Sequence, residues 1–243
     1  MKKLLFWILL ISGTALILGS CAKKEESDDA ASATETAGTG TTASGTISGI
    51  ENLTGTFNLS FNGEEPSGGC ISNSTAIAAL SSLLPSNTLA FKNQINITSS
   101  TTWAQSMQYY SDASCATLTG YMNMGYKNAS VGDSLSGLSA GSNPAKPTTA
   151  KKISYNKDFT ALKSNTDTTT TFFNTLLGAS TLSTLGFTQG TELNIDNTDE
   201  DQEVNIWETG TMSGSSKTYL FFGDAHSTNY PSDWTSADVW WQE

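Results

Sequence analysis

The 243-residue chain holds a single histidine, His226, so a serine nucleophile activated by histidine must find its base there. The serine best placed by its neighbours is Ser134, in Gly132-Asp133-Ser134-Leu135. A hydroxyl of this kind becomes a nucleophile only when an adjacent base takes its proton. Three cysteines and one histidine are too few for an ordinary His/Cys zinc site. Hard oxygen ligands do cluster in the run from Asp196 to Glu203, where Asp196, Asp199 and Asp201 are of the type that holds Ca²⁺. That run lacks the Asp-x-Asp-x-Asp-Gly register and the glycine that turns it. A solvated hairpin loop between two strands is therefore the better expectation, and no metal or cofactor is assigned. The chain has no arginine, 23 acidic residues and a net charge of −11, which excludes nucleic-acid binding through phosphate contacts.

The cysteines divide into two groups. Cys21 ends a leader made of Met1-Lys2-Lys3 and an apolar stretch over 4–18, too short to span a bilayer and right for a signal h-region. Leu18-Gly19-Ser20-Cys21 resembles a bacterial lipobox, which implies acylation of Cys21 and anchorage to a lipid bilayer. By resemblance to enteric lipoproteins, Ala22 directs the chain to the outer membrane of a bacterial envelope. The alternative is an ordinary secretory signal with a chance cysteine. Residues 22–48 contain almost no large apolar side chain, so they are expected to form a disordered tether reaching roughly 25–30 Å. Cys70 and Cys115 remain. In an oxidising compartment they make a disulfide closing a loop of about 45 residues, or else two buried thiols.

From residue 49 to 243 the pattern is short runs of alternating apolar residues. Phe57, Leu59 and Phe61 alternate, as do Leu89, Phe91, Ile95 and Ile97. Trp103, Met107 and Tyr109 follow, then Leu118, Met122, Met124 and Tyr126. Ile153 and Tyr155, Leu193 and Ile195, Val204 and Ile206, Tyr219 and Phe221, and Val239 and Trp241 complete the series. Period-two alternation predicts strands with one buried face and one wet face. Turn residues between the runs predict an antiparallel sandwich or barrel. Two segments carry helical spacing instead: 74–84, with Ser74 as N-cap and Pro85 as stop, and the stretch around Phe172, Phe173, Leu176 and Leu177 before Gly178.

Several short motifs carry a resemblance. Gly55-Thr56-Phe57 with Cys70, and Tyr109-Tyr110-Ser111-Asp112-Ala113-Ser114-Cys115, are similar to segments of lipocalin-like bacterial lipoproteins. The second segment also resembles the Wnt-inhibitor family named for down-regulation by adenomatosis polyposis coli. Gly186-Phe187-Thr188-Gln189-Gly190 and Tyr219-Leu220-Phe221-Phe222-Gly223-Asp224 resemble later segments of the bacterial domains. The resemblance implies an antiparallel β-barrel of about eight strands with an apolar interior suited to a lipid-like or other hydrophobic ligand. Trp103, Met107, Tyr109, Met122 and Met124 are the candidates to line it, since aromatics and thioethers suit irregular apolar ligands, although plain core packing is the better expectation for such a set. The alternative is a non-catalytic interaction protein with a filled barrel and a protein partner that the sequence does not identify. A third reading comes from residues 132–135, which resemble the block that names the GDSL hydrolases. The later blocks of that family are missing, including its Asp-x-x-His, so no catalysis is assigned and a Gly-Asp turn opening a strand is expected instead.

Overall fold

The computed structural model describes residues 55–61, 64–139, 146–197, 202–212, 215–223, 225, 229–234 and 238–242. The expected leader with Cys21, the segment 22–48, Asp199, Asp201 and His226 lie outside the described residues. Among the described residues nine strands follow in chain order: β1 (Gly55–Leu59), β2 (Ala90–Ile97), β3 (Trp103–Tyr110), β4 (Leu118–Ser136) and β5 (Thr149–Ser164), then β6 (Leu193–Asp196), β7 (Glu203–Gly210), β8 (Tyr219–Phe222) and β9 (Asp238–Gln242). All pairings are antiparallel. The order β4-β3-β2-β1-β9-β8-β7-β5 closes through the β4–β5 pair into an eight-stranded barrel. Closure leaves these strands without an open edge to template association.

The ninth strand corrects one expectation. β6 and β7 do not form a hairpin around the acidic run. Both lie antiparallel on the same edge of β5, with Leu162 opposite Leu193 and Tyr155 opposite Glu203. They run in one direction as two pieces of an interrupted strand. Alternation reports faces and not partners, so a hairpin and a broken strand look alike in sequence. A second correction concerns Gly132-Asp133-Ser134-Leu135. These residues continue β4, and Ser134 pairs with Lys151 of β5. The turn lies further along, after Ser136.

Inner and outer faces follow from the pairing, because directly opposed residues share a face. Phe57, Phe91, Ile95, Trp103, Met107, Met122, Met124, Tyr126, Tyr155, Trp207, Leu220, Phe222 and Trp240 belong to one buried cluster inside the barrel. Tyr219, Phe221, Val239, Trp241 and Ile206 form a second cluster on the outer face. Leu138 and Trp234 cover that patch. The Trp234 indole Nε1 donates to the Pro147 carbonyl at 2.6 Å, and the Ser139 amide donates to Asp233 Oδ1 at 2.9 Å. The expected alternation at β7, β8 and β9 therefore picked out the outer set, and both faces of these strands are buried.

Helices close one end. α1 (Ser74–Ala79) is capped by Asn73, whose side chain accepts from the Thr75 amide at 2.8 Å, and not by Ser74 as expected. α2 (Asp167–Leu177) is capped by Thr166, carries Asp167 in its first turn and stops at Gly178, where φ is +89°. Thr169, Phe173 and Leu177 recur every four residues and form its buried stripe. α3 (Ala179–Thr184) adds Leu182. Thr169 approaches β4 so closely that a Cβ at Gly120 would lie 2.6 Å from its methyl group.

Candidate functional site

The strand register sorts the inner face into rows. One row is Ile97, Trp103, Tyr126 and Lys157. The next is Phe57, Ile95, Gln105, Met124, Thr160 and Ile195. The third holds Asn93, Met107, Met122, Leu162 and Leu193. Extending the β1–β2 register from Phe57↔Ile95 brings Leu59 beside Asn93. Leu59 in turn pairs with Trp240, and Trp240 with Leu220. This third row therefore runs Leu220, Trp240, Leu59, Asn93, Met107, Met122, Leu162, Leu193. The fourth row, Phe91 and Tyr109, meets the helices: the Tyr109 ring lies 5.7 Å from Phe172 and 6.1 Å from Phe173.

All five candidates to line a ligand site are on the inner face and buried. They do not form one uniform wall. Trp103 stacks on Tyr126 at 3.9 Å between ring centroids and meets Tyr155, Trp207 and Phe222 edge-on at 5.2–5.4 Å. Trp207 meets Phe222 at 4.8 Å. These rings fill the barrel toward the 98–102 end. Tyr109 belongs to the helical cap. Met107, Met122 and Met124 lie between the ring cluster and the cap.

The interior is less apolar than the resemblance implied. Asn93 and Gln105 are buried on the inner face, and Gln105 Nε2 donates to Asn93 Oδ1 at 3.2 Å. Lys157 is buried opposite Tyr126, with its Nζ 3.5 Å from Glu203 Oε1. The Thr160 hydroxyl accepts from Asn197 Nδ2 at 2.8 Å. Burial holds the Tyr155 hydroxyl well above the usual phenol range, and the Glu203 charge pushes it further in the same direction. Burial alone raises Tyr109. Both phenols stay protonated donors at neutral pH. Among the described residues, four buried nitrogens on the inner face have no hydrogen-bond partner: Asn93 Nδ2 and the indole Nε1 of Trp103, Trp207 and Trp240. A buried group left in this state costs about 1–3 kcal/mol.

Sequence reasoning missed Asn93, Gln105 and Lys157. The signal was available for the first two. They stand at 93 and 105 in runs whose alternating set, Phe91, Ile95, Ile97, Trp103, Met107 and Tyr109, is odd-numbered, so each is a polar residue on a buried parity.

Cys70 and Cys115 are joined, with Cα atoms 5.9 Å apart. The bond ties the β1–β2 connection to the β3–β4 turn. Asp112 organises that turn by accepting from the amides of Ser114 at 2.9 Å and Ala116 at 3.1 Å, and from the Ser114 hydroxyl and Thr117 amide. These bonds, led by the Ser114 hydroxyl, hold its carboxyl well below the usual carboxylate range. Burial, assisted by Asp112, pushes the neighbouring Tyr110 up to about 12. At the opposite end, Ser134 is exposed on β4 and its Oγ takes a hydrogen bond from Lys151 Nζ at 2.6 Å. It is not at the strand-to-helix turn that the GDSL resemblance requires. Asp196 ends β6.

No protein family matches this chain by its sequence, and no curated protein matches it either.

Proposed function

We propose that the protein is a bacterial envelope lipoprotein, anchored to the bilayer through acylated Cys21, whose barrel binds a small hydrophobic or lipid-like molecule without catalysing its conversion. One observation carries this reading. Met107, Met122 and Met124 gather on the inner face of a closed barrel, between a ring cluster and a helical cap. An eight-stranded barrel is wide enough to hold one small ligand, and thioethers adapt to irregular shapes. The leader and the low-complexity segment that follows support the anchored location.

The test has two parts. The full chain is purified from membranes and its organic extract analysed for a stoichiometric small molecule. The same preparation is titrated with a hydrophobic fluorophore. A saturable site near one per chain supports the reading, and no uptake overturns it. Anchorage is read separately by incorporation of a palmitate analogue, which Cys21→Ser should abolish.

A filled barrel serving as an interaction module is the second reading, favoured by the four rings packed around Trp103. It predicts no uptake and no extracted molecule.

A further inference from the structure

The inner-face nitrogens without partners have a common chemical sense. All four are N–H donors. The three indoles cannot act as acceptors at all. Two of the four, Asn93 Nδ2 and Trp240 Nε1, fall in the same row, on strands separated only by β1. Two strand spacings put their backbones about 10 Å apart, and barrel curvature turns both side chains inward. Asn93 and Trp240 are each only 1% exposed. The rest of the row is Leu220, Leu59, Met107, Met122, Leu162 and Leu193, with no acceptor better than a thioether sulfur. Asn93 Oδ1 is already taken by Gln105, so its amide hydrogens have nowhere to go within the row.

From this we infer that the ligand is an apolar molecule carrying an uncharged carbonyl oxygen, seated against the Asn93 amide with Trp240 as a second donor. The inference rests on the proposal that the barrel holds a ligand. An uncharged carbonyl fits better than a carboxylate, because the buried cation of the inner face, Lys157, already faces Glu203. A pure hydrocarbon would leave both N–H groups unpaired. A molecule with an acceptor at the right depth would satisfy at least one. Sites built to pair a polar group discriminate strongly against analogues that lack it.

The experiment titrates the full chain with undecane, 2-undecanone and undecanoate, reading tryptophan fluorescence. Wild type is compared with Asn93→Leu, which removes the donor at similar volume, and comparing the undecane-to-ketone ratio of dissociation constants between the two proteins cancels partition into detergent. The expected result is a ratio about tenfold larger in wild type than in Asn93→Leu, the scale of one buried hydrogen bond. Trp240→Phe, which keeps the ring and loses the N–H, should reduce the ratio in the same direction if Asn93→Leu does not fold. An unchanged ratio in the folded variant overturns the inference while leaving ligand binding intact. Undecanoate binding more tightly than the ketone also overturns it, since the site would then be reading charge. Failure of all three probes to bind removes the container reading itself.

Discussion

The two halves of the barrel interior are filled by different kinds of side chain. Toward the 98–102 end, Trp103, Tyr126, Tyr155, Trp207 and Phe222 contact one another at centroid distances of 3.9–5.4 Å. Each ring there is held in place by others, and edge-to-face geometry fixes its orientation. In the row of Asn93, Met107 and Met122, Trp240 is the single ring, and among the described residues no other ring lies against it. Thioethers have three rotatable bonds and no preferred partner geometry. The first half therefore behaves as a plug that sets the shape of the barrel. On the proposed container reading, the second is where the interior would rearrange around a ligand. Stability and binding should accordingly respond to different residues.

The sharpest test of this division is Trp103→Ala. Removing the ring that four others touch should cost about 3–5 kcal/mol, read from the midpoint of urea unfolding. A loss below about 1 kcal/mol would mean that the rings are loosely held and that the plug does not exist.

Opening the Cys70–Cys115 bond comes next. It closes a loop of 45 residues, so the chain-entropy model gives on the order of 3–4 kcal/mol. For a chain of this size that is a fall in melting temperature of roughly 6–16 °C on adding reductant. The bond secures the helix-capped end, so the loss should also weaken uptake of a hydrophobic probe. An unchanged melting curve would mean the cap is held by packing alone.

Met122→Leu inverts the pattern. A volume-conserving swap in the softer half should change stability by less than about 1.5 kcal/mol. It should nevertheless weaken probe affinity by several-fold, because the branched side chain adapts less readily. Equal affinity in the two proteins would place the ligand away from this row.

The division also explains what could be read from the sequence. Strands β1 to β3, the first half of β4 and a short piece of β5 were legible because their inner-face residues alternate: Phe57, Phe91, Trp103, Met122 and Tyr155 keep their parity. In β8 the run Tyr219-Leu220-Phe221-Phe222 is apolar on both faces, so parity chose the outer pair. Trp234 is the physical reason, since it covers Tyr219 and Phe221 from a loop with no periodicity of its own. The broken strand β6–β7 was hidden because pairing partners leave no trace in alternation. The site was half legible. Thioethers and aromatics announce an interior, but Asn93 looks like an interruption until its neighbours across the sheet are known. Lys157 was harder to find. It reaches the inner face through a register shift between Gly125 and Tyr126 that nothing local encodes.

The smallest expected effect concerns the turn that presents Cys115 to Cys70. Cys115 has φ of +55°, a conformation that an L residue adopts only when its surroundings impose it. Asp112 supplies that constraint through the amides of Ser114, Ala116 and Thr117. Its folded pKa lies below the ordinary 3.8, so the ionised form favours the folded turn. The stabilisation is complete above the ordinary value and is lost as pH falls through the folded one. Melting temperature should therefore decline as pH is lowered from 5 toward 2, and part of that decline should vanish in Asp112→Asn. The asparagine variant keeps one accepting oxygen and loses the other, so at pH 7 it should be modestly less stable than wild type. The carboxylate is exposed, and screening by added salt should shrink the difference. Matching pH profiles for the two proteins would show that the strained Cys115 backbone is held by the disulfide and not by the aspartate.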